Sequence, residues 1–147
     1  MSHISGNIGP EGGLIEVEVS VHTARERILR KNNLPVPPSK TVKAQIDTGA
    51  YCSGVDKRIF LALELWGEID KEEILTSSTE EVPYTSDVYV ANITLLSSDG
   101  NRTLETLRVL ALTFGEREET RALIGRDILA SCDFSYDGRG GTFSLDF

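Results

Sequence analysis

Basic charge is scarce in this chain: 15 Lys and Arg stand against 23 Asp and Glu, for a formal net charge of −8. That balance argues against a nucleic-acid partner, whose phosphates demand clustered Lys and Arg. The one basic cluster, RERILRK from Arg25 to Lys31, contains Glu26 and reads as a solvated helical face. Long hydrophobic runs are missing too. Nothing approaches the ~20 apolar residues that span a bilayer, so no membrane partner is expected. The opening MSHISGNIGPEGG lacks the charged start and apolar segment of a secretory leader. Cysteine is limited to Cys52 and Cys132, too few for a disulfide framework and too isolated for a metal site. Reduced thiols, no metal, no cofactor and a cytoplasmic location are the resulting expectations.

What remains is a chain of 147 residues, 39% apolar and 26% charged, the composition of one ordinary globular domain. Residues 1–13 are rich in Gly and Ser and read as a flexible N-terminal tail, leaving 14–147 as the domain. LIEVEVSV (Leu14 to Val21) alternates apolar and polar, the period of a half-buried strand. TARERILRKNN follows as a short helix capped by Thr23, and three prolines in LPVPPSK rule out helix and central strand alike. TVKAQI (Thr41 to Ile46) reads as a strand. VDKRIFLALELW has Ile59, Leu63 and Trp66 at helical spacing and predicts a helix packed on the core. The stretch from Glu72 to Leu96 predicts a long hairpin with its tip at Thr79 to Pro83. TLETLRVLALTF and TRALIG read as further strands, RDILAS as a short helix, and CDFSYDGRGGTFSLDF as a closing hairpin. Many short strands with turn signals and one main helix predict an all-β barrel or sandwich.

Within this pattern, AQIDTGAYCSGV places Asp47 directly after an apolar strand and before Thr48, Gly49 and Ala50. An Asp and a Gly at a strand end make an ordinary turn. The alternative is a catalytic carboxylate, and a second motif, LIGRDIL from Leu123 to Leu129, bears on the choice. Asp47, Thr48, Gly49, Ala50 and Ser53, together with LIGRDIL downstream and a hairpin between them, resemble the retropepsin family, the single-lobe aspartic proteases of retroviruses and their bacterial relatives. The resemblance runs from about residue 14 to 147. It implies a retropepsin-like closed β-barrel, equivalent to half of an acid protease, with one main helix and a flap-like hairpin.

It also implies a chemistry. Hydrolysing a peptide without metal or covalent intermediate needs a base to activate water and an acid to protonate the product. Two carboxyl groups about 3 Å apart share one proton and supply both. This chain offers one such turn. Asp99-Gly100 and Asp137-Gly138 lack the Thr and the preceding apolar strand, and read as hairpin turns. The second Asp47 must come from an identical chain across a two-fold axis, making an aspartic endopeptidase active as a homodimer on a peptide or protein substrate.

In that resemblance Thr48 hydrogen-bonds across to the partner turn, while Gly49 leaves room for the water. Ser53, Gly125, Arg126 and Asp127 support the turn, and Tyr51 with Ser77, Ser78 and Thr79 are candidates for substrate contact. Ala50 has no hydroxyl to donate to the carboxylate, so the working pH should lie nearer neutral than in relatives with serine there. The arginine of LIGRDIL pairs in viral members with an acid at the place of Tyr51; Asp127 or Asp56 could substitute. GTFSLDF is either an interface strand or an ordinary terminal strand. The hairpin tip TSSTEEVPY has no glycine, unlike viral flaps, and reads as a stiffer flap or as a plain surface hairpin. Two readings from other classes therefore stand beside the protease. One is a catalytically silent retropepsin fold used for dimerisation or peptide binding; the other is an unrelated β-barrel with a chance match. Cys52 invites a thiol-protease reading with His22 or His3, but a buried small side chain is the simpler one.

Overall fold

The computed structural model describes residues 1–65, 70–74 and 84–147, of which 70–74 and 84 are described by backbone alone. Alternation in β2 (Leu14–Val21) buries Ile15, Val17, Val19 and Val21, and β2 pairs antiparallel with β3 (Lys40–Ile46). Between them α1 (Thr23–Lys31) carries the basic cluster and buries no residue. Its N-cap is His22, not Thr23: the His22 Nδ1 accepts the Arg25 N–H at 3.4 Å. An accepting Nδ1 must be unprotonated, in keeping with burial and the nearby Arg25 charge, which both lower this imidazole's pKa.

The helix expected over 55–66 is shorter than its apolar spacing suggested. Gly54–Asp56 is a strand, β4, because Val55 is drawn fully into the sheet; α2 runs only Lys57–Ala62 and buries Phe60. Trp66 lies outside the described residues. The long hairpin is present as β5 (Asp70–Ile74) and β6 (Tyr84–Leu95), paired antiparallel from Asp70↔Val88 to Ile74↔Tyr84. Its tip, Thr79 to Pro83, lies outside the described residues. The remaining strands are β7 (Arg102–Leu112), β8 (Thr120–Ile124), β9 (Asp133–Asp137) and β10 (Thr142–Asp146), with α3 (Arg126–Leu129) after β8.

The larger sheet has the order β2-β3-β8-β4-β7-β6-β5, and an added pairing of β2 with β6 closes six of its strands into a barrel. β6 makes this closure possible by dividing one edge. Ala91 to Leu95 pair with β2, and Tyr84 to Val88 pair with β5. The β5–β6 hairpin thus projects beyond the closed barrel. Val17, Val19, Val55, Ile93, Leu95, Val109 and Ile124 fill the interior at under 2% exposure, each such aliphatic contributing about 2 kcal/mol by its burial. The fold is a closed six-stranded β-barrel with a projecting hairpin, the architecture expected from the sequence.

One expectation about the chain ends is corrected. The tail is not loose up to Gly13: His3–Asn7 forms β1, paired antiparallel with β10. The segment carries little apolar signal, since only Ile4 and Ile8 pack on the core, and Gly6 seats a ring: a Cβ there would lie 2.9 Å from Phe143. GTFSLDF, open between an interface strand and an ordinary terminal strand, pairs within its own chain. β10 is the middle of a three-stranded sheet, β1-β10-β9, so both its edges are satisfied within one chain.

Candidate active site

Parallel pairing of β3 with β8 (Gln45↔Leu123, Ile46↔Ile124) delivers Asp47 to the end of β3, where its N–H donates to the Ile124 carbonyl at 2.9 Å. The chain then turns back: the Ala50 N–H donates to the Asp47 carbonyl at 3.2 Å, and the Gly49 N–H donates to Asp47 Oδ1 at 2.9 Å. A Cβ on Gly49 would stand 3.1 Å from that same oxygen, so glycine keeps the carboxylate uncrowded. Thr48 and Gly49 are exposed at the head of the turn, and Asp47 is half-buried behind them. Among the described residues no other carboxyl group hydrogen-bonds to Asp47 and no cation forms a salt bridge with it.

The downstream motif is built against the back of this turn. The Arg126 N–H donates to the Ala50 carbonyl at 2.9 Å, and Arg126 Nη1 donates to the Thr48 carbonyl at 3.1 Å. Ser53, fully buried, is the central link. Its N–H and its hydroxyl both donate to the Asp127 carboxylate, at 3.0 and 2.7 Å, while its Oγ accepts the Gly125 N–H at 2.9 Å. Gly125 is forced by proximity, because a Cβ would fall 2.6 Å from the Cys52 carbonyl carbon and 3.0 Å from the Ala50 oxygen. The structure thus brings together Asp47, Thr48, Gly49, Ala50, Ser53, Gly125, Arg126 and Asp127. Ser77, Ser78 and Thr79 lie outside the described residues.

Neither candidate acid replaces the missing partner of Arg126. Arg126 is satisfied by a backbone carbonyl, and Asp127 spends its carboxylate on Ser53. Asp56, with 2% of its side chain exposed, is taken by Arg58 Nη2 at 2.7 Å and Arg121 Nη1 at 3.3 Å. Burial alone would raise the Asp56 carboxyl; the Arg58 hydrogen bonds and the two guanidinium charges outweigh it and hold the pKa below the ordinary carboxylate value.

Tyr51, 46% exposed, follows the turn into a cavity of about 370 Å³ that it lines with Cys52, Val88, Leu107, Arg108 and Leu110. Nothing local in the sequence marks these β6 and β7 residues; the parallel pairing of β4 with β7 (Gly54↔Leu110) brings them beside Cys52. A Cys–His nucleophile is not assembled. His22 caps α1 and His3 hydrogen-bonds Asp146 at 2.7 Å. Cys132 donates to the Ile128 carbonyl, and burial pushes its thiol pKa up, away from the thiolate. Among the described residues no cluster of His, Cys, Asp and Glu could hold a metal ion, and no helix is long and apolar enough to cross a membrane.

No family model and no curated protein matches this chain. Among solved structures it is similar to a retropepsin-like aspartic protease from Rickettsia conorii, with a TM-score of 0.57 and 14% identity, over 99% of this chain and 91% of that one. At that identity the likeness is one of architecture: the chain has a retropepsin-like fold, with its Asp-Thr-Gly-Ala turn at the end of a barrel strand.

Proposed function

We propose that the protein is an aspartic endopeptidase, active as a homodimer in which two copies of Asp47 flank the attacking water. The observation that carries this reading is the state of Asp47: a half-buried carboxylate on a turn held from behind, accepting one backbone N–H and, among the described residues, making no salt bridge. One carboxylate activates water and its protonated twin donates to the scissile carbonyl oxygen; the roles reverse as the amine leaves. A guanidinium beside Asp47 would favour the doubly ionised pair and remove the acid. In this reading the exposed Thr48 reaches the partner turn, and the cavity beside Tyr51 receives a substrate side chain. Asp127, Ser53, Gly125 and Arg126 act through the turn as positioning residues.

The test is cleavage of a mixed peptide library by the wild type and by Asp47→Asn across a range of pH. Cleavage by the wild type alone supports the reading; cleavage that survives the substitution sinks it. A well-folded dimer that cuts nothing at any pH would favour the silent peptide-binding fold instead.

A further inference from the structure

We infer that the outward face of α1 is a docking surface for an acidic, amphipathic segment of another protein, an interaction independent of the peptidase reading. Charge sets this region apart. Residues 22–40 hold five cations, Arg25, Arg27, Arg30, Lys31 and Lys40, and one acid, Glu26, for a net +4 on a chain whose total is −8. Their folded arrangement is more particular than a solvated basic face. Arg30 donates to Glu26 through Nε at 3.1 Å and Nη2 at 2.8 Å, so the one acid is neutralised by its neighbour a turn along. Ala24, Arg27, Ile28 and Lys31 recur at spacings of three and four and form one stripe, and all four are exposed. Glu26 and Arg30 lie about 160° around the helix from Ile28. Among the described residues neither Arg27 nor Lys31 makes a salt bridge. Ile28, 59% exposed, sits within the stripe with a cation on either side.

The helix is held in place without being packed. It buries no residue, and a helix this short is unstable in isolation; its two ends are secured instead. His22 caps the first turn. Thr23 Oγ1 accepts from Asn92 Nδ2 at 3.2 Å, and Asn92 Oδ1 accepts the Thr106 N–H at 2.9 Å, which ties α1 to the β6–β7 ladder. At the other end Asn33 has a φ of 54°, its N–H donates to the Arg30 carbonyl, and the Leu34 N–H donates to the Leu29 carbonyl. That closure returns Leu34, 53% exposed, to the last turn as a second fixed aliphatic group. Cations around such anchors suit a segment that places acids among aliphatic residues at helical spacing. A bilayer surface would need more apolar area than Ile28 and Leu34 offer. A nucleic acid, charged along its whole length, would run off the patch onto the net −12 of the remaining chain, whereas that same charge confines a short acidic segment to α1. The face is also clear of Asp47. α1 follows the end of β2 that pairs with the start of β3 (Val19↔Lys40), and Asp47 stands at the other end of β3, about 23 Å away at the usual strand rise.

Fluorescence anisotropy of a fluorescein-labelled peptide, Glu-rich with leucines at helical spacing, tests the docking at fixed salt. The wild type should bind it. Reversing the stripe with Arg27→Glu and Lys31→Glu together should weaken binding by about tenfold or more, and Ile28→Ser by about threefold. Glu26→Gln with Arg30→Gln, which removes the pair on the opposite face at constant net charge, should change it by less than about twofold. Should the reversed variant fail to fold by circular dichroism, Arg27→Gln with Lys31→Gln should still weaken binding by about fourfold. A wild type that does not bind the peptide overturns the inference. So does binding that survives the change of both stripe cations, or that falls equally when the Glu26–Arg30 pair is removed. Tighter binding of the wild type to phosphatidylserine vesicles or to a single-stranded oligonucleotide than to the peptide overturns it as well. The readout is binding and not cleavage, so this surface and the peptidase reading stand or fall separately.

Discussion

Asp47 and Asp56 end β3 and β4, on either side of the same turn, and they are treated in opposite ways. Asp56 is sealed at 2% side-chain exposure under Arg58 and Arg121 and also caps α2 through the Arg58 N–H. Asp47 is left half-buried, with one backbone donor and, among the described residues, no cation. Under the proposed function, one chain thus gives the same residue type two tasks by environment alone. An acid locked as an anion holds a corner together but cannot trade protons at ordinary pH, whereas an acid left without cations can share a proton with a twin.

The contrast is broken most severely by Asp47→Asn. Peptide cleavage should fall to background while stability changes by no more than about 0.5 kcal/mol, since an amide oxygen still accepts the Gly49 N–H. Chemical denaturation run beside the cleavage assay checks both halves; a large loss of stability would mean that Asp47 is a structural acid after all. Asp56→Ala should do the reverse, costing about 1–2 kcal/mol at pH 7 through the lost α2 cap and the lost pairs to two partly exposed guanidinium groups. The sign of the pH effect follows from the depressed pKa of Asp56. Its contribution is complete above about pH 4 and is lost as pH falls below that toward its own lower value. Thermal melts should therefore show the gap between wild type and Asp56→Ala narrowing in acid.

Ser53→Ala sharpens the comparison between the turn and its support. It leaves the buried Gly125 N–H without an acceptor and removes the shorter of the two bonds Ser53 gives Asp127, a loss of about 1–3 kcal/mol. If Asp127 positions the turn through Ser53, the specific activity of the folded fraction should fall as well. Loss of stability with unchanged kcat would confine the network to folding.

How far these regions were readable in advance differs for physical reasons. The barrel strands and the Asp47 turn announce themselves in linear patterns, because alternation and turn chemistry act between near neighbours. β1 did not, since its stability comes from β10 at the far end of the chain and from a ring that only Gly6 admits. The divided edge of β6 is likewise a property of closure. Arg126 and Asp127 illustrate the limit most plainly. Adjacent opposite charges, beside a turn with Tyr51 where viral members have an acid, suggest an ion pair, but Arg126 finds a backbone carbonyl and Asp127 a buried serine. Backbone acceptors look alike in every sequence, so the partner of Arg126 could not be read there.

The smallest expected effect tests whether the treatment of Asp47 is graded. Ala50 approaches Asp47 only through its backbone, donating to the Asp47 carbonyl rather than to the carboxylate. Ala50→Ser would offer a hydroxyl to the acid and move Asp47 one step toward the environment of Asp56. A hydroxyl that holds the carboxylate as a donor should make it less reactive toward water, so kcat should fall by about two- to threefold with KM unchanged, read from peptide cleavage at one fixed pH. If the serine variant left kcat unmoved, the hydroxyl would not reach the carboxylate, and the donor count around Asp47 would cease to matter to its chemistry.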